Sequence, residues 1–181
     1  MAAIIPYLPA LKGIAIAGSL INGGTMTSGY RLLPAVYPQV PKNPKDAAKQ
    51  WEFFYWSMSA TVPWVDLTTI IAIGTIAYTE YSQLAPTSAS AAATWKIWTA
   101  SAALMPVGWV WVRQVMLVPS YKLLAIAKDT ADGLDAETAP FFKAGPQETL
   151  DLMKKFNSEM GFRMMFPWVV GGLALWATLG F

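Results

Sequence analysis

The chain has 181 residues, 55% of them apolar and only 13% charged, with a formal net charge of +2. Soluble domains carry about 25% charged residues, so this deficit points to an integral membrane protein; the small net charge, with its bases scattered, points away from a nucleic-acid partner. There is no Cys and no His, which excludes disulfides, thiolate nucleophiles, Cys–His zinc sites and His-ligated haem or iron, and no metal site is expected.

The length suits one compact bundle, a single four-span domain over 1–181. The first residues, MAAIIPYLPALK, lack the basic start of a cleavable signal, and their apolar stretch runs beyond signal length. The pattern predicts a first span over Leu8–Leu33. It is rich in small residues, including Gly18, Ser19, Gly23, Gly24 and Ser28, which let membrane helices approach closely. That face suits packing within the chain or between copies, so a homo-oligomer is an expectation. Pro34, Pro38, Pro41 and Pro44 then break the helix.

A second span is predicted from Gln50 to Tyr81, opening on the interfacial aromatics Trp51 to Trp56. Ala85–Thr94 reads as a short Ala/Ser/Thr loop or as a continuation of helix. A third span covers Trp95–Val118 and a fourth Gly161–Phe181. The polar segment between them predicts two amphipathic interfacial helices. One carries Leu123, Leu124 and Ala127 and ends at Gly133; the other covers Pro146–Glu159, with Leu150, Met153 and Phe156 on one face. The expected fold is thus an all-α integral membrane four-helix bundle with interfacial helices between spans three and four.

Positive charge fixes an expected orientation. Arg31, Lys42, Lys45 and Lys49 flank the first loop; Arg113, Lys122, Lys128, Lys143, Lys154, Lys155 and Arg163 flank the third; the opposite side has Lys12 and Lys96. Loops one and three should face the cytosol and both termini the lumen of an endomembrane of ER type.

Asp66 is the most informative residue. It is the one charge in the run from Met58 to Tyr78. A carboxylate at mid-span costs roughly 2.5–3.5 kcal/mol on insertion scales, and such groups mark functional sites by default. Asn22 lies about 13 Å deeper than Arg31, and Asp66 about 15 Å deeper than Trp56, by helical rise, so the two meet near the midplane. Arg31, Glu52, Tyr55, Trp56, Arg113 and Arg163 are expected at one membrane face. Together these suggest a polar pocket open to the cytosolic leaflet with Asp66 at its floor. Pro63 frees a carbonyl one turn before it, as happens where polar groups line a cavity. Each element has a plainer reading. The arginines can snorkel to phosphates, the aromatics can be belt residues, and Asn22 can bond a neighbouring helix.

Four loose motifs carry a family resemblance over nearly the whole chain. They are the Gly/Ser-rich first span ending at Pro34, the aromatic start Trp51 and Tyr55, the turn from Pro119 to Leu124, and Arg163 opening the last span. In these the chain resembles the anthrone oxygenase-like family of small four-helix membrane proteins. It departs from the family at Tyr121, where Asn is frequent, and at Phe156 and Met160, where Trp and Asn or His are frequent. The resemblance implies a cofactor-free oxygenase of aromatic polyketide biosynthesis, with O2 as co-substrate and no metal or flavin.

Such chemistry needs a base, a donor for the developing oxyanion, and an aromatic slot. Asp66 is the expected base. Arg113, Arg163 and Asn22 are the expected oxyanion donors, while Tyr55, Trp56, Trp109, Arg31 and Tyr30 are expected to hold a flat aromatic substrate. Three alternatives stay open: a cyclase or isomerase of the same family, a glutathione-using membrane transferase with a cationic site at Arg31, Arg113 and Arg163, and a non-catalytic small-molecule-binding or assembly subunit.

Overall fold

The computed structural model describes residues 2–128 and 144–179. Lys143, the helix end expected at Gly133 and the span end expected at Phe181 lie outside the described residues. All regular structure among the described residues is helical: α1 (Leu8–Leu32), α2 (Pro44–Thr79), α3 (Ala89–Trp111), α4 (Leu117–Lys128), α5 (Pro146–Arg163) and α6 (Met165–Leu179). Short 3-10 stretches cover Ala2–Tyr7 and Leu33–Gln39, and π-turns cover Glu80–Leu84 and Val112–Met116. Four helical stretches, Ile4–Gln39, Pro44–Leu84, Ala89–Lys128 and Pro146–Leu179, are long and apolar enough to cross a membrane. The chain is a membrane protein with the expected all-α, four-span architecture.

The helix boundaries follow local chemistry. Pro34 stands at the start of the 3-10 stretch, where its missing N–H costs no helical bond. α2 starts at Pro44 behind an Asn43 cap: Asn43 Oδ1 accepts from the Asp46 amide at 3.2 Å, and Asn43 Nδ2 donates to Asp46 Oδ2 at 2.6 Å. Ser88 caps α3 by accepting from the Ala91 amide at 3.3 Å. The amphipathic segments expected between spans three and four are α4 and α5. α4 follows α3 through the π-turn, and α5 leads into α6 across Met164. Most Ser and Thr hydroxyls on the spans bond the carbonyl four residues back, such as Ser19 to Ala15 and Thr69 to Val65, which lets them sit in apolar surroundings.

The chain groups into two compact units. The first comprises Met1–Thr25, Thr61–Val110 and Met164–Phe181; the second comprises Met26–Ala60 and Trp111–Arg163.

The first unit is built from stripes with alternating three- and four-residue spacing. On α1 these are Lys12, Ala15, Ser19 and Asn22; on α2, Asp66, Thr69, Ile73, Ile76 and Glu80; on α3, Thr94, Trp98, Ser101, Met105 and Gly108. Ala15, Ile73, Ile76, Trp98, Met105, Val170 and Ala174 form its apolar core. Gly18 and Gly171 allow the close approaches. A Cβ at Gly18 would run into the Thr69 hydroxyl, and one at Gly171 would lie 3.3 Å from Ser19 Cβ.

The second unit packs around Trp51. Its ring stacks on Tyr55 with centroids 5.1 Å apart and meets Phe156 edge-on at 5.1 Å. Leu33, Val36, Val40, Met116, Leu123, Met153 and Met160 complete this core.

Candidate functional site: the Asp66 cluster

Asp66 is 4% exposed and Asn22 1%. Asn22 Nδ2 donates to Asp66 Oδ1. Trp109 Nε1 donates to Asp66 Oδ2 at 2.9 Å. One residue from each of α1, α2 and α3 thus converges on one carboxylate. The helical rise that set Asn22 and Asp66 at similar depth predicted the first pairing. The second gives Trp109 a role that stacking alone does not capture: its indole N–H holds the carboxylate, while the residue remains 39% exposed. Two donors offset part of the cost of burying this group, because bonds to a charged acceptor are worth about 1.5–3 kcal/mol each. Asn22 Oδ1 is buried without a hydrogen-bond partner, leaving an acceptor open beside the carboxylate.

A second polar cluster in the same unit was not expected. Lys12 Nζ lies 2.7 Å from Glu80 Oε1, and the Thr94 hydroxyl donates to Glu80 Oε2 at 2.6 Å. Glu80 is buried, and Lys12 also lies 5.6 Å from the centre of the Trp98 ring. From the sequence, Lys12 is a flanking charge on the side opposite loops one and three, and Glu80 has no assigned role. The signal was present: Glu80 continues the stripe of Asp66, Thr69, Ile73 and Ile76 on α2. Trp98 Nε1 and Ser101 Oγ, on the facing stripe of α3, are buried without hydrogen-bond partners.

The other expected site residues belong to the second unit. Arg31 and Arg113 are exposed and Arg163 is half-buried. The Tyr30 ring packs against Gly161. Tyr55 is held between Trp51 and Trp56, and Trp56 Nε1 donates to Glu52 Oε1 at 3.1 Å. Two residues here carried no sequence signal. Asn157 Oδ1 and Glu159 Oε2 are buried without hydrogen-bond partners, although Lys155 Nζ stands 3.9 Å from Glu159 Oε1. Trp111 Nε1 donates to the Glu159 carbonyl at 3.3 Å. Among the described residues no group of three or more acidic side chains converges as metal ligands would.

Fold and cluster define a class: a four-span membrane protein with a hydrogen-bonded carboxylate buried on its second span. Comparison with protein-family models, with curated proteins and with solved structures gives no match in any of the three.

Proposed function

We propose that this membrane protein is a cofactor-independent oxygenase of the anthrone type, with Asp66 as its base. The observation that supports this reading is the buried carboxylate held by Asn22 and Trp109. Asn22 fixes the plane of the carboxylate, and Trp109 supplies an aromatic face next to it. Asp66 takes a proton from the acidic methylene of the substrate. The carbanion passes one electron to O2, the radical and superoxide combine into a peroxide anion, and the proton held by Asp66 returns to it to give the hydroperoxide. Loss of water leaves the carbonyl, so CH2 and O2 become C=O and H2O. General-base catalysis of this kind contributes about 10²- to 10⁴-fold. The roles expected of Arg31, Arg113, Arg163, Tyr30, Tyr55 and Trp56 are not needed for the proton transfer and stand outside this proposal.

The test is turnover of an anthrone by the purified protein in lipid, with product analysis in air and under argon. The expected results are quinone only in air and a loss of at least about 100-fold in Asp66→Asn. Product formed equally under argon supports the cyclase or isomerase reading instead.

A second reading has its own support. Both Asp66 oxygens already accept from neighbouring spans, as they would in a purely structural pin. In that case Asp66→Asn changes unfolding temperature or assembly, and no turnover depends on it.

For orientation, we propose loops one and three in the cytosol and the termini in the lumen of an ER-type membrane. Support comes from Arg31, Lys42, Lys45, Lys49, Arg113, Lys122, Lys154, Lys155 and Arg163, all of which fall in the second unit, against Lys12 and Lys96 in the first.

A further inference from the structure

Asp66 is enclosed, yet one of the side chains that hold it reaches the outer surface of its unit. That side chain is Trp109, which is 39% exposed while its N–H is bound to Asp66 Oδ2. The other large exposed side chains on these stretches are apolar too: Trp64 and Leu67 on α2 and Val107 and Val110 on α3. On a membrane span such a surface faces hydrocarbon, not water. The two helices are weakened at matching places. Pro63 precedes Asp66 by three residues and Pro106 precedes Trp109 by three. Each removes one helical hydrogen bond in the turn leading to the key residue.

We propose that the Asp66 site takes its ligand sideways from the bilayer, and that Trp109 is the group the ligand displaces. The chemistry narrows the ligand. When the indole swings away, Asp66 Oδ2 loses the Trp109 donor, and a bond lost from a buried acceptor is costly. The incoming molecule must therefore dissolve in hydrocarbon and bring a hydrogen-bond donor or an acidic C–H of its own. Asn22 Oδ1, buried and without a partner, offers an acceptor for a second donor on the same molecule. This concerns the same carboxylate as the proposed reaction but holds whichever reaction follows.

The test is carbodiimide labelling of Asp66 in the full chain in phospholipid nanodiscs, read by peptide mass spectrometry without any turnover assay. The protonated carboxyl adds across one C=N bond, its proton going to nitrogen and its oxygen to the central carbon; acyl transfer to nitrogen then leaves a stable N-acylurea. Dicyclohexylcarbodiimide arrives through lipid, and a water-soluble cationic carbodiimide arrives through water. Rates are compared at the low-pH plateau, where Asp66 is protonated in every variant and a changed acidity has no effect. The apolar reagent is expected to label wild-type Asp66 slowly. Trp109→Phe, which keeps the ring and loses the N–H, should label about tenfold faster, the factor set by about 1.4 kcal/mol of lost hydrogen bonding. Trp64→Phe, at an exposed tryptophan of α2 off the carboxylate, should match wild type and controls for general loosening. Labelling of Asp66 by the water-soluble reagent at an equal or faster rate overturns the proposal, as does a Trp109→Phe rate equal to wild type.

Discussion

A charged residue in a membrane span is defined by its partners, and this chain contains two contrasting cases. Asp66 is held by neutral donors, Asn22 and Trp109, whereas Glu80 is held by a cation, Lys12, and a hydroxyl, Thr94. The ion pair should behave as buried pairs generally do. Removing one partner leaves an uncompensated charge and costs about 3–5 kcal/mol, while replacing both with apolar groups of similar volume is often neutral. Lys12→Met alone should therefore lower the unfolding temperature in detergent more than Lys12→Met with Glu80→Met. Equal losses in the single and double variants would mean that Lys12 is solvated rather than paired. The pairing of Asn22 with Asp66 was legible because depth along a helix follows from counting residues. The bond from Trp109 was not, because it depends on the rotation of α3 about its axis, which no residue count fixes.

At the level of elements, close helix approach in the first unit depends on Gly18. A methyl there meets the Thr69 hydroxyl on α2. Gly18→Ala should destabilise by about 1–3 kcal/mol through overpacking. Adding Thr69→Ala removes the obstructing hydroxyl and should recover most of the loss, as a double-mutant cycle in thermal unfolding would reveal. The start of α2 carries a side-chain cap: Asn43→Ala removes the acceptor of the Asp46 amide and should cost about 1 kcal/mol. The proline cluster after the first span correctly marked where α1 stops. The π-turns at Glu80–Leu84 and Val112–Met116 left no mark in the sequence pattern, since they arise from one extra residue inside an otherwise unbroken helical run. The helix of the second span therefore runs on to Leu84, three residues past Tyr81.

Across the whole molecule, charge is unevenly distributed. Described residues of the first unit carry Lys12 and Lys96 against Asp66 and Glu80, while the arginines all belong to the second. The proposed topology can be tested directly because the chain has no Cys. Lys49→Cys should react with an impermeant maleimide from the cytosolic side of sealed vesicles, and Lys96→Cys only after the vesicles are opened. The reverse pattern would invert the topology. Composition alone made the four-span helical architecture legible, since 13% charge leaves few other homes for 55% apolar residues. The division into two compact units was not legible, because three of its four boundaries fall inside the continuous helices α1, α2 and α3.

The α2 stripe has a consequence for how the protein is made. When α2 enters the bilayer, Asp66 and Glu80 both lack the donors that α3 later supplies. Each such group makes a lone helix reluctant to stay in hydrocarbon. Synthesis delivers α1 first, so Asn22 and Lys12 are already in the membrane when α2 emerges. A nascent chain halted before α3 would still lack the Trp109 and Thr94 donors, and would present a half-satisfied polar face to the machinery that surveys unassembled membrane proteins.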